Sequence, residues 1–173
     1  MDSWTVEHIC NGLRSVLESE GGLRFRHQSF VDFILNKEMA YPPLHITTSD
    51  CHHVLAGQCL RVMKEKLRFN ICEISSSFLL NSEVLESLPS LEAYIPSHLQ
   101  YASRYWVHHL HDGPPSGDSL SLVRDFLRIR FLFWLEVASL CGFVDDVPSM
   151  LIPLVAWLQV ISMRRRRPSL TAT

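Results

Sequence analysis

Residues 119–141 carry apolar side chains in two helical stripes, Val123, Leu127, Trp134 and Cys141 on one side and Leu122, Phe126, Phe133, Val137 and Leu140 on the other. A helix that is apolar on two sides has to be sandwiched between neighbours, as in a bundle or a helical solenoid. Helical periodicity recurs along most of the chain. Val6, Cys10, Leu13 and Leu17 share a face over residues 4–18, and His52, Leu55, Cys59, Val62 and Met63 share one over a helix from about Thr48 to Arg68. Leu99, Ala102, Trp106 and Leu110 share a third after Pro96 and Ser97, with Tyr101 and Tyr105 flanking.

Breakers divide these helices. Gly21 and Gly22 are expected to stop the first, Pro42 and Pro43 mark a loop, and residues 69–94 read as short helices and turns around Ser75–Ser77 and Pro89. Asp112-Gly113-Pro114-Pro115-Ser116-Gly117 is the clearest linker. One short strand is expected, where Leu23, Phe25 and His27 alternate with Arg24 and Arg26. Directly after it, Ser29 is the expected cap of a helix whose inner face is Phe30, Phe33 and Ile34, with Asp32 as the capping-box acid.

Composition narrows the function. Of 173 residues 47% are hydrophobic, enough to offset the entropy of ordering a small core. Four of the 16 basic residues are the run Arg164–Arg167, which leaves 12 basic against 18 acidic groups in residues 1–163. An acidic body repels phosphate backbones, so no nucleic-acid partner is expected. The five cysteines, Cys10, Cys51, Cys59, Cys72 and Cys141, form no CxxC pair and read as reduced core thiols of a cytoplasmic protein.

No Gly-x-x-x-x-Gly-Lys-Ser/Thr, G-x-S-x-G or H-E-x-x-H occurs, so no catalytic residue is expected. Cys51, His52, His53 and Cys59 have zinc-binding side chains, but His52 and Cys59 lie about 10 Å apart along one helix, too far for one ion. His108, His109 and His111 sit on another helix, where adjacent residues point apart. No metal site is therefore expected. Residues 149–163 with the following arginines resemble a membrane helix, yet an uninterrupted stretch of about 15 residues falls short of the ~20 a bilayer needs and contains Pro153 and Gln159. Membrane contact is not the expected role. His27, between a strand and a helix N-terminus, could donate to an anion held there.

The string Leu23-Arg-Phe-Arg-His27-Gln-Ser29-Phe30-Val-Asp32-Phe33-Ile34 resembles the strand-histidine-helix element in the winged-helix domain of NACHT-type signalling NTPases, the NOD-like receptor class of the STAND group, and above all its fungal branch. Further blocks are similar in the same order: His52-His53-Val54-Leu55-Ala56, Leu67-Arg68-Phe69-Asn70-Ile71-Cys72, Tyr101-Ala102 with Arg104-Tyr105-Trp106, and Phe131-Leu132-Phe133-Trp134-Leu135-Glu136-Val137. The resemblance spans roughly residues 4–160.

Residue pattern and resemblance together lead to the expectation of a mainly α fold: a truncated winged-helix remnant with one short strand at 1–47, a helical domain at 48–111, a linker at 112–118, a helical pair at 119–163 continuing that domain, and a basic disordered tail at 164–173 that is not similar to the family's continuation. The resemblance also implies a non-catalytic regulatory and scaffold segment, coupling nucleotide state to downstream repeats. By position His27 matches the family histidine that contacts the nucleotide phosphate, ADP or ATP, in the full-length context only. The implied partners are the NTPase core, homologous NACHT proteins and other proteins. The alternatives are a tail-anchored membrane adaptor through residues 149–163 and a stand-alone helical interaction module. A zinc-dependent hydrolase would require stoichiometric zinc.

Overall fold

The computed structural model describes residues 8, 10–18, 24–36, 38 and 45–166, with side chains as far as Met163. The chain divides into two compact units, Met1–Thr48 and Ser49–Thr173. The described residues are mainly helical, with one two-stranded sheet.

In the first unit, β1 (Leu17–Glu18) pairs antiparallel with β2 (Arg24–Phe25), Leu17 opposite Phe25 and Glu18 opposite Arg24. The strand expected near Leu23–His27 is present but only two residues long, and its partner lies where periodicity continues the helix of residues 4–18. That helix ends at Gly12; residues 13–16 form a turn that closes with the Leu13 carbonyl accepting from the backbone N–H of Leu17 at 2.8 Å. Helical periodicity at Leu13 and Leu17 therefore misplaces Leu17, which turns inward as a strand residue instead. Helix α1 (Gln28–Leu35) follows β2. The Gly21–Gly22 stop, Leu23 and the Pro42–Pro43 loop lie outside the described residues.

The second unit opens with α2 (Thr48–Lys66), whose Asp50 in the first turn and Lys64 and Lys66 in the last complement the helix dipole. Its buried residues are Ala56, Cys59, Leu60 and Met63, so the inner face is rotated from the expected stripe and Leu55 is exposed. After a loop come the short helices α3 (Asn81–Ser87) and α4 (Leu91–Tyr94), then α5 (Ser97–Asp112). The connection to α6 (Gly117–Asp125) is shorter than the expected 112–118 linker, because α5 runs through Asp112 and Ser116 caps α6 by accepting from the Ser119 N–H at 3.1 Å. Gly113 in that connection is buried. A Cβ there would lie 2.9 Å from the His53 backbone nitrogen, so the missing side chain lets the end of α5 press onto α2.

The two-striped segment is not one regular helix. Phe126–Arg130 form a π turn between α6 and α7 (Phe131–Leu140), and its surplus residue rotates the downstream helix by about 100°. Both faces are used, as a sandwiched helix requires. Val123, Phe126, Trp134 and Val137 are all buried, and the Trp134 indole N–H donates to the Ser103 carbonyl of α5 at 2.8 Å. Trp106, Phe126 and Trp134 meet edge-on or tilted at the centre of the unit, with centroids 4.7–6.1 Å apart.

The chain closes with α8 (Val147–Arg166), packed on α5 through the buried Leu154, Trp157 and Ile161. Arg164–Arg166 are thus helical rather than part of a disordered tail, and residues 167–173 lie outside the described residues. Cys51 is exposed and Cys10 and Cys141 are half-buried, so only Cys59 and Cys72 are fully buried core thiols.

Candidate functional site

His27 is an exposed residue with extended backbone at the N-cap of α1. Its own Nδ1 accepts from the Ser29 backbone N–H at 3.1 Å and stands 2.7 Å from Ser29 Oγ. The imidazole, not Ser29, is therefore the cap. An acceptor Nδ1 in a neutral ring places the proton on Nε2, which leaves one N–H to donate outward beside a helix N-terminus that favours anions.

Elsewhere, two groups of histidines that are far apart in sequence meet. His52 projects from the first turns of α2, and His108 and His109 from the end of α5, and each offers a ring nitrogen within 4.8 Å of the others. His109 is buried, His52 half-buried and His108 exposed. His52 Nδ1 lies 2.9 Å from His109 Nδ1, and Tyr101 Oη lies 2.7 Å from His109 Nε2. Both bonds are satisfied when Tyr101 O–H donates to His109 Nε2 and His109 Nδ1–H donates to His52 Nδ1.

Burial first, and then His52 and His108, push the His109 pKa down, with Asp112 opposing. Burial, then Cys59 and Tyr105, push the Tyr101 pKa up. Both groups are held neutral. Asp112 closes the edge of the group: its Oδ1 accepts from His111 Nδ1 at 2.8 Å, which holds its carboxyl low, and its Oδ2 is 3.6 Å from His108 Nδ1. Cys51, His53 and Cys59 take no part in the cluster.

Treating the two histidine groups separately hides this arrangement. His108 and His109 are neighbours on α5 expected to point apart, yet their ring centroids lie only 5.5 Å from each other, and a third imidazole from α2 reaches both. The available signal is His52 on the apolar stripe of its helix, since an inward polar group needs a partner.

A cleft of about 110 Å³ beside the π turn, lined by Leu60, Lys64, Leu122, Asp125, Phe126 and Ile129, is smaller than the 300 Å³ or more of ordinary ligand pockets. It is too small for a nucleotide. Val144–Met163, the turn before α8 together with most of that helix, is long and apolar enough to cross a membrane by length and composition, longer than the stretch of about 15 residues read from the sequence, and 22% of its apolar 18-residue window is buried. No protein-family model, curated protein or solved structure matches the chain.

Proposed function

We propose that the chain is a non-catalytic regulatory and scaffold segment of a NACHT-type signalling NTPase, in which a winged-helix element reports nucleotide state to neighbouring domains. The observation that carries this reading is the placement of His27: β2, the histidine and α1 follow one another as in the family element, and the capping bond leaves Nε2–H as a donor at the helix N-terminus. In the full-length context His27 contacts the phosphate of ADP supplied by an NTPase core, and the closed state is favoured by that differential contact. The helical unit after Thr48 then serves as the scaffold linking the switch to downstream protein partners in the cytoplasm.

The test uses a full-length relative, or the product of an in-frame transcript carrying an upstream Gly-x-x-x-x-Gly-Lys-Ser/Thr. His27→Asn keeps a good helix cap but removes the Nε2 donor, and it should raise basal activity and speed ADP loss. Unchanged ADP retention and basal activity in His27→Asn would refute the role.

A second reading is a tail-anchored membrane adaptor that spans the bilayer through α8, favoured by the exposed stripe Ile152, Val155, Val160 and Met163 on a helix that ends in arginines. Alkaline carbonate extraction separates the two, since a chain released into the supernatant does not span a bilayer.

A further inference from the structure

We propose that His52, His108 and His109 bind a divalent transition metal ion of the zinc type, clamping the start of α2 to the end of α5. Three imidazole nitrogens within 4.8 Å of one another are already gathered from two helices. An ion holding nitrogens at about 2.0–2.1 Å in a tetrahedron spaces them about 3.3 Å apart. The Nδ1 atoms of His52 and His109, 2.9 Å apart, need to separate by only a few tenths of an ångström.

The surroundings suit a ligand set. Burial favours the uncharged, ligating form of His109. With a metal on Nδ1, the His109 proton moves to Nε2 and donates to Tyr101 Oη, now 2.7 Å away as acceptor rather than donor. Asp112 Oδ2 stands 3.6 Å from His108 Nδ1, so a small approach would make it the outer partner of the second ligand. Such outer partners fix ring orientation and strengthen metal binding. An all-imidazole set selects Zn²⁺, Ni²⁺ or Cu²⁺ over the oxygen-seeking Mg²⁺ and Ca²⁺, and the absence of a thiolate from the cluster disfavours Cu⁺. The close seating of Gly113 on His53 holds the two helix ends at the required spacing.

The clamp is independent of the signalling reading, because it uses only side chains of the second unit. Its test is a titration of the chelator-treated full chain with Zn²⁺ against a chromogenic chelator, with Co²⁺ as a spectroscopic substitute. One equivalent is expected, with a visible Co²⁺ band of tetrahedral nitrogen coordination. His108→Ala, an exposed position that the fold does not need, should weaken Zn²⁺ binding by about tenfold or more, and His52→Ala likewise. His98→Ala, exposed at the start of the same helix and outside the cluster, should bind as the parent does. Absence of stoichiometric binding overturns the proposal, and so does a parent-like affinity in His108→Ala, or an equal loss in His98→Ala, which would mark generic histidine binding.

Discussion

Glu136 on α7 secures the loop after α2, and its removal gives the sharpest test of how the second unit is held together. One carboxylate oxygen accepts from the Asn70 N–H at 3.2 Å and the other from the Ile71 N–H at 3.1 Å. Asn70 has φ 50°, a left-handed conformation that asparagine tolerates, and its side chain closes the turn with Ile74 through bonds of 3.0 and 2.7 Å. Ile71 and Cys72 are thereby driven into the core, each 2% exposed.

Hydrogen bonds to a charged group contribute about 1.5–3 kcal/mol each, and partial exposure places these two toward the low end. Glu136→Ala should therefore destabilise the unit by about 2–4 kcal/mol. Glu136→Gln keeps one acceptor oxygen and should cost about half as much. With a urea slope of about 1–3 kcal/mol/M, the alanine variant should lower the unfolding midpoint by about 1–2 M. The assay is urea unfolding followed by tryptophan fluorescence and by circular dichroism. A loss below about 0.5 kcal/mol for Glu136→Ala at unchanged slope, or equal losses for both variants, would refute the anchoring role.

Burial and close approach set the other expectations. Burial raises the Cys59 and Cys72 thiols from 9.0 to about 11, with Glu136 adding to the rise at Cys72, so both should resist a thiol reagent near neutral pH while exposed Cys51 reacts. The folded state then holds more thiol protons than the unfolded one between 9.0 and about 11, so stability should fall as pH rises through that window; a flat pH profile would contradict it. Gly113→Ala would set a Cβ 2.9 Å from the His53 nitrogen and 3.0 Å from its Cα, backbone atoms that yield little, and should lower stability by about 1–3 kcal/mol in thermal unfolding. Trp134→Phe keeps an aromatic ring but leaves the buried Ser103 carbonyl without its 2.8 Å donor, a loss of about 1–3 kcal/mol measurable by denaturant unfolding.

The helical body is legible in the sequence because its burial pattern is periodic. The α5 stripe of Leu99, Ala102, Trp106 and Leu110 is buried as its spacing demands. Harder to read is anything decided by a partner distant in sequence. β1 at Leu17 continues a helical period and becomes a strand only through pairing with Phe25. Hydroxyls are the usual helix caps, which points to Ser29 at the start of α1, whereas the imidazole of His27, two residues earlier, takes the cap position and accepts from the Ser29 N–H itself. His52 and His109 stand 57 positions apart, so no local spacing links them. The sequence does place His52 on an inward stripe and histidines at the end of α5.

The surplus residue in the turn Phe126–Arg130 makes the phase of α7 depend on a count rather than on any side chain. Every residue beyond it is out of step with a regular helix, and Trp134 reaches Ser103 and Glu136 reaches Asn70 and Ile71 because of that offset. Excising one residue would give a more regular helix and swing both side chains about a quarter turn away from their partners. Substitutions in this turn act locally, but a change of length there acts across the whole unit, so insertions and deletions should be far less tolerated at 126–130 than replacements.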